Sequence, residues 1–123
     1  MFDGFGMNLS TLSLLSSAKT RSVCAENPTG EKGKGGMATE GFSSAAAREL
    51  GQGWKISPSV EIPGKETLLL ADIQGSGIIQ HIWLTCPHED WRSLVLRFYW
   101  DAEETPSIEV PLGDFFCMGW CET

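Results

Sequence analysis

At 123 residues the chain is the size of one ordinary domain, which excludes any function that needs two full-sized domains within it. Its 41% hydrophobic, 20% charged and 10% aromatic content lies in the globular range, so disorder of the whole chain is excluded as well. Nine Lys and Arg against sixteen Asp and Glu leave a net charge of −7, which repels phosphate backbones and anionic lipid; neither nucleic acid nor a membrane is expected as a partner.

The opening Met1-Phe2-Asp3-Gly4-Phe5-Gly6 lacks the basic start of an export signal, and no stretch approaches the ~20 apolar residues that span a bilayer. The four cysteines, Cys24, Cys86, Cys117 and Cys121, are too scattered for a disulfide framework and suit a reducing compartment, so a cytoplasmic location is expected. Asn8 is placed to cap a short helix carrying Leu9, Leu12 and Leu15, a lid or clasp that ends by Lys19-Thr20-Arg21. Residues 24–37 are dense in Gly with one Pro, which predicts a loop. Residues 43–50 predict a helical turn or two, stopped by Gly51 and Gly53.

From Trp54 the pattern becomes short β-rich runs at 54–62, 66–73, 78–85, 93–101 and 107–112, separated by turn signals such as Pro63-Gly64 and Gln74-Gly75-Ser76-Gly77. Five strands with no helix between them predict an all-β, antiparallel β-sandwich or barrel. In the fourth run Leu94, Leu96, Phe98 and Trp100 make an apolar face, with Val95, Arg97, Tyr99 and Asp101 on the other. In the third run His81 and Trp83 share a side with Ile79 and Thr85. If those two runs pair with faces aligned, Arg97 and Asp101 form a polar network beside His81, and a structural role is the stronger expectation for it.

The chemistry-bearing motifs separate quickly. Gly30-Glu31-Lys32-Gly33-Lys34-Gly35-Gly36 fails as a phosphate loop because Pro28 and Gly35 stand where a Gly and a Ser or Thr are required. Cys117 and Cys121 have no second tight pair, so no metal site and no cofactor are expected. Adjacent Glu103 and Glu104 point to opposite faces if extended and do not make a glycosidase dyad. Asp114, between Gly113 and Phe115-Phe116, sits in an apolar neighbourhood where a bare carboxylate is costly; it reads as a buried structural group ahead of a functional one. Aromatic residues can stack on sugar rings, although core packing is the stronger expectation for all but Trp91 and Trp120.

A set of blocks in order resembles one family: Ala25-Glu26-Asn27-Pro28-Thr29-Gly30-Glu31-Lys32-Gly33, then Gly51-Gln52-Gly53-Trp54-Lys55-Ile56-Ser57-Pro58, then Ile79-Gln80-His81-Ile82-Trp83-Leu84-Thr85, then Tyr99-Trp100-Asp101, then Pro111-Leu112-Gly113-Asp114-Phe115-Phe116. They are similar to the N-terminal portion of the domain of unknown function 2961 family, glycoside hydrolase family 172. The resemblance implies a tandem pair of β jelly rolls, assembled as a trimer or a multiple of trimers with active sites near subunit contacts. It implies retaining hydrolysis of α-D-fructofuranosides, difructose dianhydride or D-arabinofuranosides without a metal.

The organisation expected is therefore an N-terminal helix and Gly-rich loop over 1–53, then the strands of an incomplete first jelly roll over 54–123. The family's two catalytic glutamates map onto no residue here, so the chain is expected to be an N-terminal fragment of a glycosidase, inactive alone. Its expected ligand is an oligo- or polysaccharide containing furanose sugars, with Glu31, Lys32, His81, Trp83 and Asp114 as substrate-binding residues. The alternative is a non-catalytic carbohydrate-binding or assembly module, since jelly rolls host both.

Overall fold

The computed structural model describes residues 8–15, 17–42 and 44–118, so Trp120 and Cys121 lie outside the described residues. The chain divides into two units, Met1–Ile78 and Ile79–Thr123. In the first, the expected helix is a single 3-10 turn, Leu9–Thr11. The Asn8 side chain accepts the Ser10 N–H at 2.9 Å and Thr11 Oγ1 accepts the Asn8 N–H at 3.1 Å, a reciprocal capping box. Leu9, Leu12 and Leu15 are 87%, 75% and 93% exposed, so the stripe that would reward a longer helix stays in solvent and the turn does not propagate.

The Gly-rich stretch is a series of turns, as its composition predicts. Cys24 and Asn27 exchange backbone hydrogen bonds at 3.2 and 2.9 Å in an isolated antiparallel bridge. The helical stretch that follows consists of two 3-10 turns, Ser44–Ala46 and Arg48–Leu50, the second ending at Gly51. The Gly53 N–H then donates to the Gly36 carbonyl at 2.7 Å, tying that end back to the loop.

Among the described residues of this unit, Ile56, Ser57 and Asn27 have well-buried side chains. The Ser57 N–H donates to the Glu26 carboxylate, which satisfies a buried backbone donor. Gly41 lies against the same serine: its φ is 148°, and a Cβ added there would come within 2.4 Å of Ser57 Cβ. Gly41→Ala is therefore expected to destabilise the first unit by about 1–3 kcal/mol through overpacking. Urea unfolding followed by tryptophan fluorescence measures this, with Gly64→Ala, where nothing lies within 4 Å, as the variant expected to stay within about 0.5 kcal/mol of wild type.

The first three β-rich runs differ from expectation. Between 54 and 87 the structure has turns at Pro63-Gly64-Lys65-Glu66 and near Gly75, where the turn signals stand, but no ladder. A strand needs a neighbour in register to satisfy its backbone groups, and residue alternation within one run does not supply one. Apart from Ile56 and Ser57, almost every residue from 54 to 81 is exposed.

The fourth and fifth runs do pair. In the second unit β1 (Val95–Phe98) and β2 (Ile108–Pro111) form an antiparallel two-stranded sheet with Val95 opposite Pro111, Leu96 opposite Val110, Arg97 opposite Glu109 and Phe98 opposite Ile108. Burial alternates as expected: Leu96 is buried and Leu94 and Phe98 are half-buried, while Val95 and Arg97 are exposed. The connection turns at Asp101 and Ala102, both left-handed at φ 49° and 61°, with the Glu103 N–H donating to the Trp100 carbonyl at 3.0 Å. Two left-handed central residues match the twist of a hairpin. The Glu103 carboxylate closes the loop by accepting from Ser107 Oγ.

Pro111 leads from β2 directly into α1 (Leu112–Phe115), a single turn. The Leu112 and Gly113 N–H groups donate to the Leu94 and Trp91 carbonyls at 2.8 and 2.9 Å, fixing α1 against the segment that precedes β1. Gly113 is needed at this approach, because an added Cβ would meet Trp91 Cβ at 3.1 Å. Phe115 then stacks on Phe98 with ring centroids 5.6 Å apart and meets Phe116 edge-on at 5.0 Å.

Candidate functional site

The polar groups expected to bind sugar fall in both units. Glu31 and Lys32 stand in the first, on the loop that Asn27 organises. The Asn27 side chain donates to the Glu31 carbonyl at 3.0 Å and accepts the Glu31 N–H at 3.1 Å, and the Lys34 N–H adds a bond to the same carbonyl at 3.2 Å. The Glu31 peptide is thus held while both side chains face solvent. An acid and a base side by side offer an acceptor and a donor, the pairing that vicinal hydroxyls require.

His81, Trp83 and Asp114 belong to the second unit. His81 and Trp83 stand in the third run, both exposed, with Trp83 at 70%. An aromatic face this open is available for stacking rather than committed to packing. Asp114 lies on α1, half-buried, and its carboxylate is paired with the Arg92 guanidinium. The pair bridges α1 to the turn that follows the 3-10 segment His88–Asp90.

Arg97 is paired with Glu109, its direct opposite in the ladder, at 2.6 Å. This corrects the expected network of Arg97 and Asp101 beside His81. The partner of β1 is β2 rather than the third run, and Asp101 lies in the left-handed turn, where strand alternation no longer applies. The hydrogen bond from Arg97 to Glu109, and then the carboxylate's charge, raise the guanidinium's already high pKa.

A concavity of about 220 Å³ lies within the second unit, lined chiefly by Leu84, Trp91, Leu112, Phe116 and Met118 with Thr85 and Cys86. Burial pushes the Cys86 thiol above its ordinary 9.0, and the charge of Asp90 adds to the effect. Because the folded thiol is the weaker acid, its contribution to stability is complete below the ordinary value and is lost as pH rises through the raised folded one. At pH 8 iodoacetamide is expected to label exposed Cys117 faster than Cys86, since the thiolate is the nucleophile and burial disfavours it at Cys86. Peptide mass mapping reads both sites; equal rates would mean that the concavity does not shield Cys86.

Sequence reasoning placed Glu26 and Asn27 in the resemblance without a role of their own and passed over Arg92. An Asn followed by Pro, Thr and Gly is a turn signal, so Asn27 was legible as a turn residue but not as the clamp on Glu31. Arg92 meets Asp114 across 22 residues, which no local pattern encodes.

The described residues hold one short antiparallel sheet with a buried face, and helical segments of a single turn each. The family model for the GH172 first beta-sandwich domain matches residues 51–120, more than half of the chain, and the chain belongs to this glycoside hydrolase family. Among curated proteins, none matches.

Proposed function

We propose that this chain supplies the first β jelly roll of a retaining glycosidase that acts on furanosides, fructofuranosides or D-arabinofuranosides, and that works as a trimer or a multiple of trimers. The observation that carries the reading is the match to the family's first sandwich over 51–120. In this reading Glu31 and Lys32 of the first unit hydrogen-bond sugar hydroxyls, and within the second unit His81, Trp83 and Asp114 are substrate-binding residues, Trp83 through its open ring face. Several carboxylates of the described residues are tied to structural donors, among them Glu26 to Ser57, Glu103 to Ser107, Glu109 to Arg97 and Asp114 to Arg92. The nucleophile and the acid/base of a retaining mechanism, about 5–5.5 Å apart, are accordingly assigned outside these residues.

The test is a chimera in which residues 51–120 replace the corresponding segment of a complete family member. Aryl α-fructofuranosides, aryl arabinofuranosides and aryl pyranosides are the substrates, with the product anomer followed by NMR. Hydrolysis with retention is expected. A cooperatively melting chimera that cleaves only pyranosides would overturn the furanoside reading. One that binds sugar without cleaving any of them would support the non-catalytic module instead.

A further inference from the structure

We propose that Asn27 is the positioning residue of the sugar-binding loop, holding the Glu31-Lys32 pair in the geometry that a furanose engages. The inference rests on the proposed role of that loop and goes beyond it by naming the group that organises it. Asn27 is 7% exposed, and a buried amide is costly unless its donors and acceptor are used. Here they are used on the backbone of one residue: Nδ2 donates to the Glu31 carbonyl and Oδ1 accepts the Glu31 N–H.

The backbone of Asn27 is engaged as fully. Its N–H donates to the Cys24 carbonyl at 2.9 Å, and its own carbonyl accepts from the Cys24 N–H at 3.2 Å and the Gly30 N–H at 3.1 Å. One residue therefore closes the turn on both sides, while Glu26 beside it anchors the same segment to Ser57. Glu31 and Lys32 project from this fixed frame into solvent, although neither side chain is held by packing. Fixing the peptide removes backbone freedom that binding would otherwise have to remove, which is how a preorganised loop gains affinity.

Asparagine is required for this, since aspartate keeps the acceptor for the Glu31 N–H but loses the donor and sets a charge against the Glu31 carbonyl. The experiment compares the full chain with Asn27→Ala, Asn27→Asp and Glu31→Ala. Hydrogen exchange is read by mass spectrometry over the peptide 28–36, and affinity for a D-arabinofuranosyl tetrasaccharide and for difructose dianhydride by calorimetry. Asn27→Ala is expected to speed exchange in 28–36 and to weaken binding about tenfold, the size of effect that losing one or two hydrogen bonds produces. Exchange in the peptides that carry β1 and β2 stays at the wild-type rate, and Asn27→Asp falls between wild type and alanine in both readouts.

Faster loop exchange with unchanged affinity, in a protein whose Glu31→Ala variant loses binding, would overturn the positioning role while leaving the loop's sugar role in place. Unchanged exchange would overturn the clamp itself. A wild-type chain that binds neither probe would overturn the loop's proposed function, and the role of Asn27 toward sugar with it; the exchange result would then mark Asn27 as a turn residue only.

Discussion

Leu96→Ala is expected to destabilise the β1–β2 hairpin by about 2–4 kcal/mol, the range for removing a buried leucine side chain. Leu96 is 7% exposed and faces the apolar side of β1 with Phe98, whose ring stacks on Phe115 of α1. A cavity at Leu96 therefore loosens both the ladder opposite Val110 and the aromatic turn beyond it. Ile56 and Leu96 are the buried apolar side chains of the described residues, one in each unit, so little else in the second unit can compensate. Val95→Ala, on the exposed face of the same strand, is expected to stay within about 0.5 kcal/mol. Urea unfolding followed by tryptophan fluorescence separates the two, and equal losses would show that the hairpin has no inner face.

The second large effect is expected in association rather than in folding. Leu69 is 72% exposed, Trp83 70%, Ile73 59% and Tyr99 50%, in a stretch where apolar side chains recur without cover. Large apolar side chains left in solvent drive contact with other chains, and a two-stranded sheet leaves both of its outer edges open to pairing. The isolated chain is expected to self-associate with rising concentration, to bind a hydrophobic dye, and to melt over a broad range. It should release no fructose or arabinose from aryl furanosides. Replacing Leu69 and Trp83 together by Lys should shift the sedimentation profile toward monomer by removing two of the most exposed apolar groups. A monodisperse monomer with a sharp cooperative melt, or furanoside hydrolysis by the isolated chain, would show that the exposed surface has no such consequence.

The candidate site was legible only in its chemistry. Glu31-Lys32 stands out because acid, base and glycine coincide in one loop, and Trp83 because an indole alternates with His81 in a β-rich run. What orders the loop was not legible, since Asn27 acts on Glu31 through a side-chain amide whose partners depend on the turn already being closed. Asp114 was placed in an apolar neighbourhood by Phe115 and Phe116, and the structure adds the guanidinium of Arg92 as its partner. Such a pair arises only when α1 and the turn after His88–Asp90 are brought together.

The sequence by itself determined the local conformations whose causes lie within a few residues. Asn8 capping its turn, the glycine-dense loop, the Pro63-Gly64 turn and the alternation of Leu94, Leu96 and Phe98 against Val95 and Arg97 all belong here. Each depends on capping geometry, backbone freedom or the two-residue period of a strand. Only the tertiary structure decided which runs become strands and what they pair with. The runs at 66–73 and 78–85 alternate or carry β-branched residues as well as β1 does, yet among the described residues it is β1 that finds, in β2, a neighbour whose carbonyl and N–H groups fall in register. Arg97 accordingly meets Glu109 and not Asp101, because a ladder is a relation between two segments and residue periodicity within one of them does not specify the other.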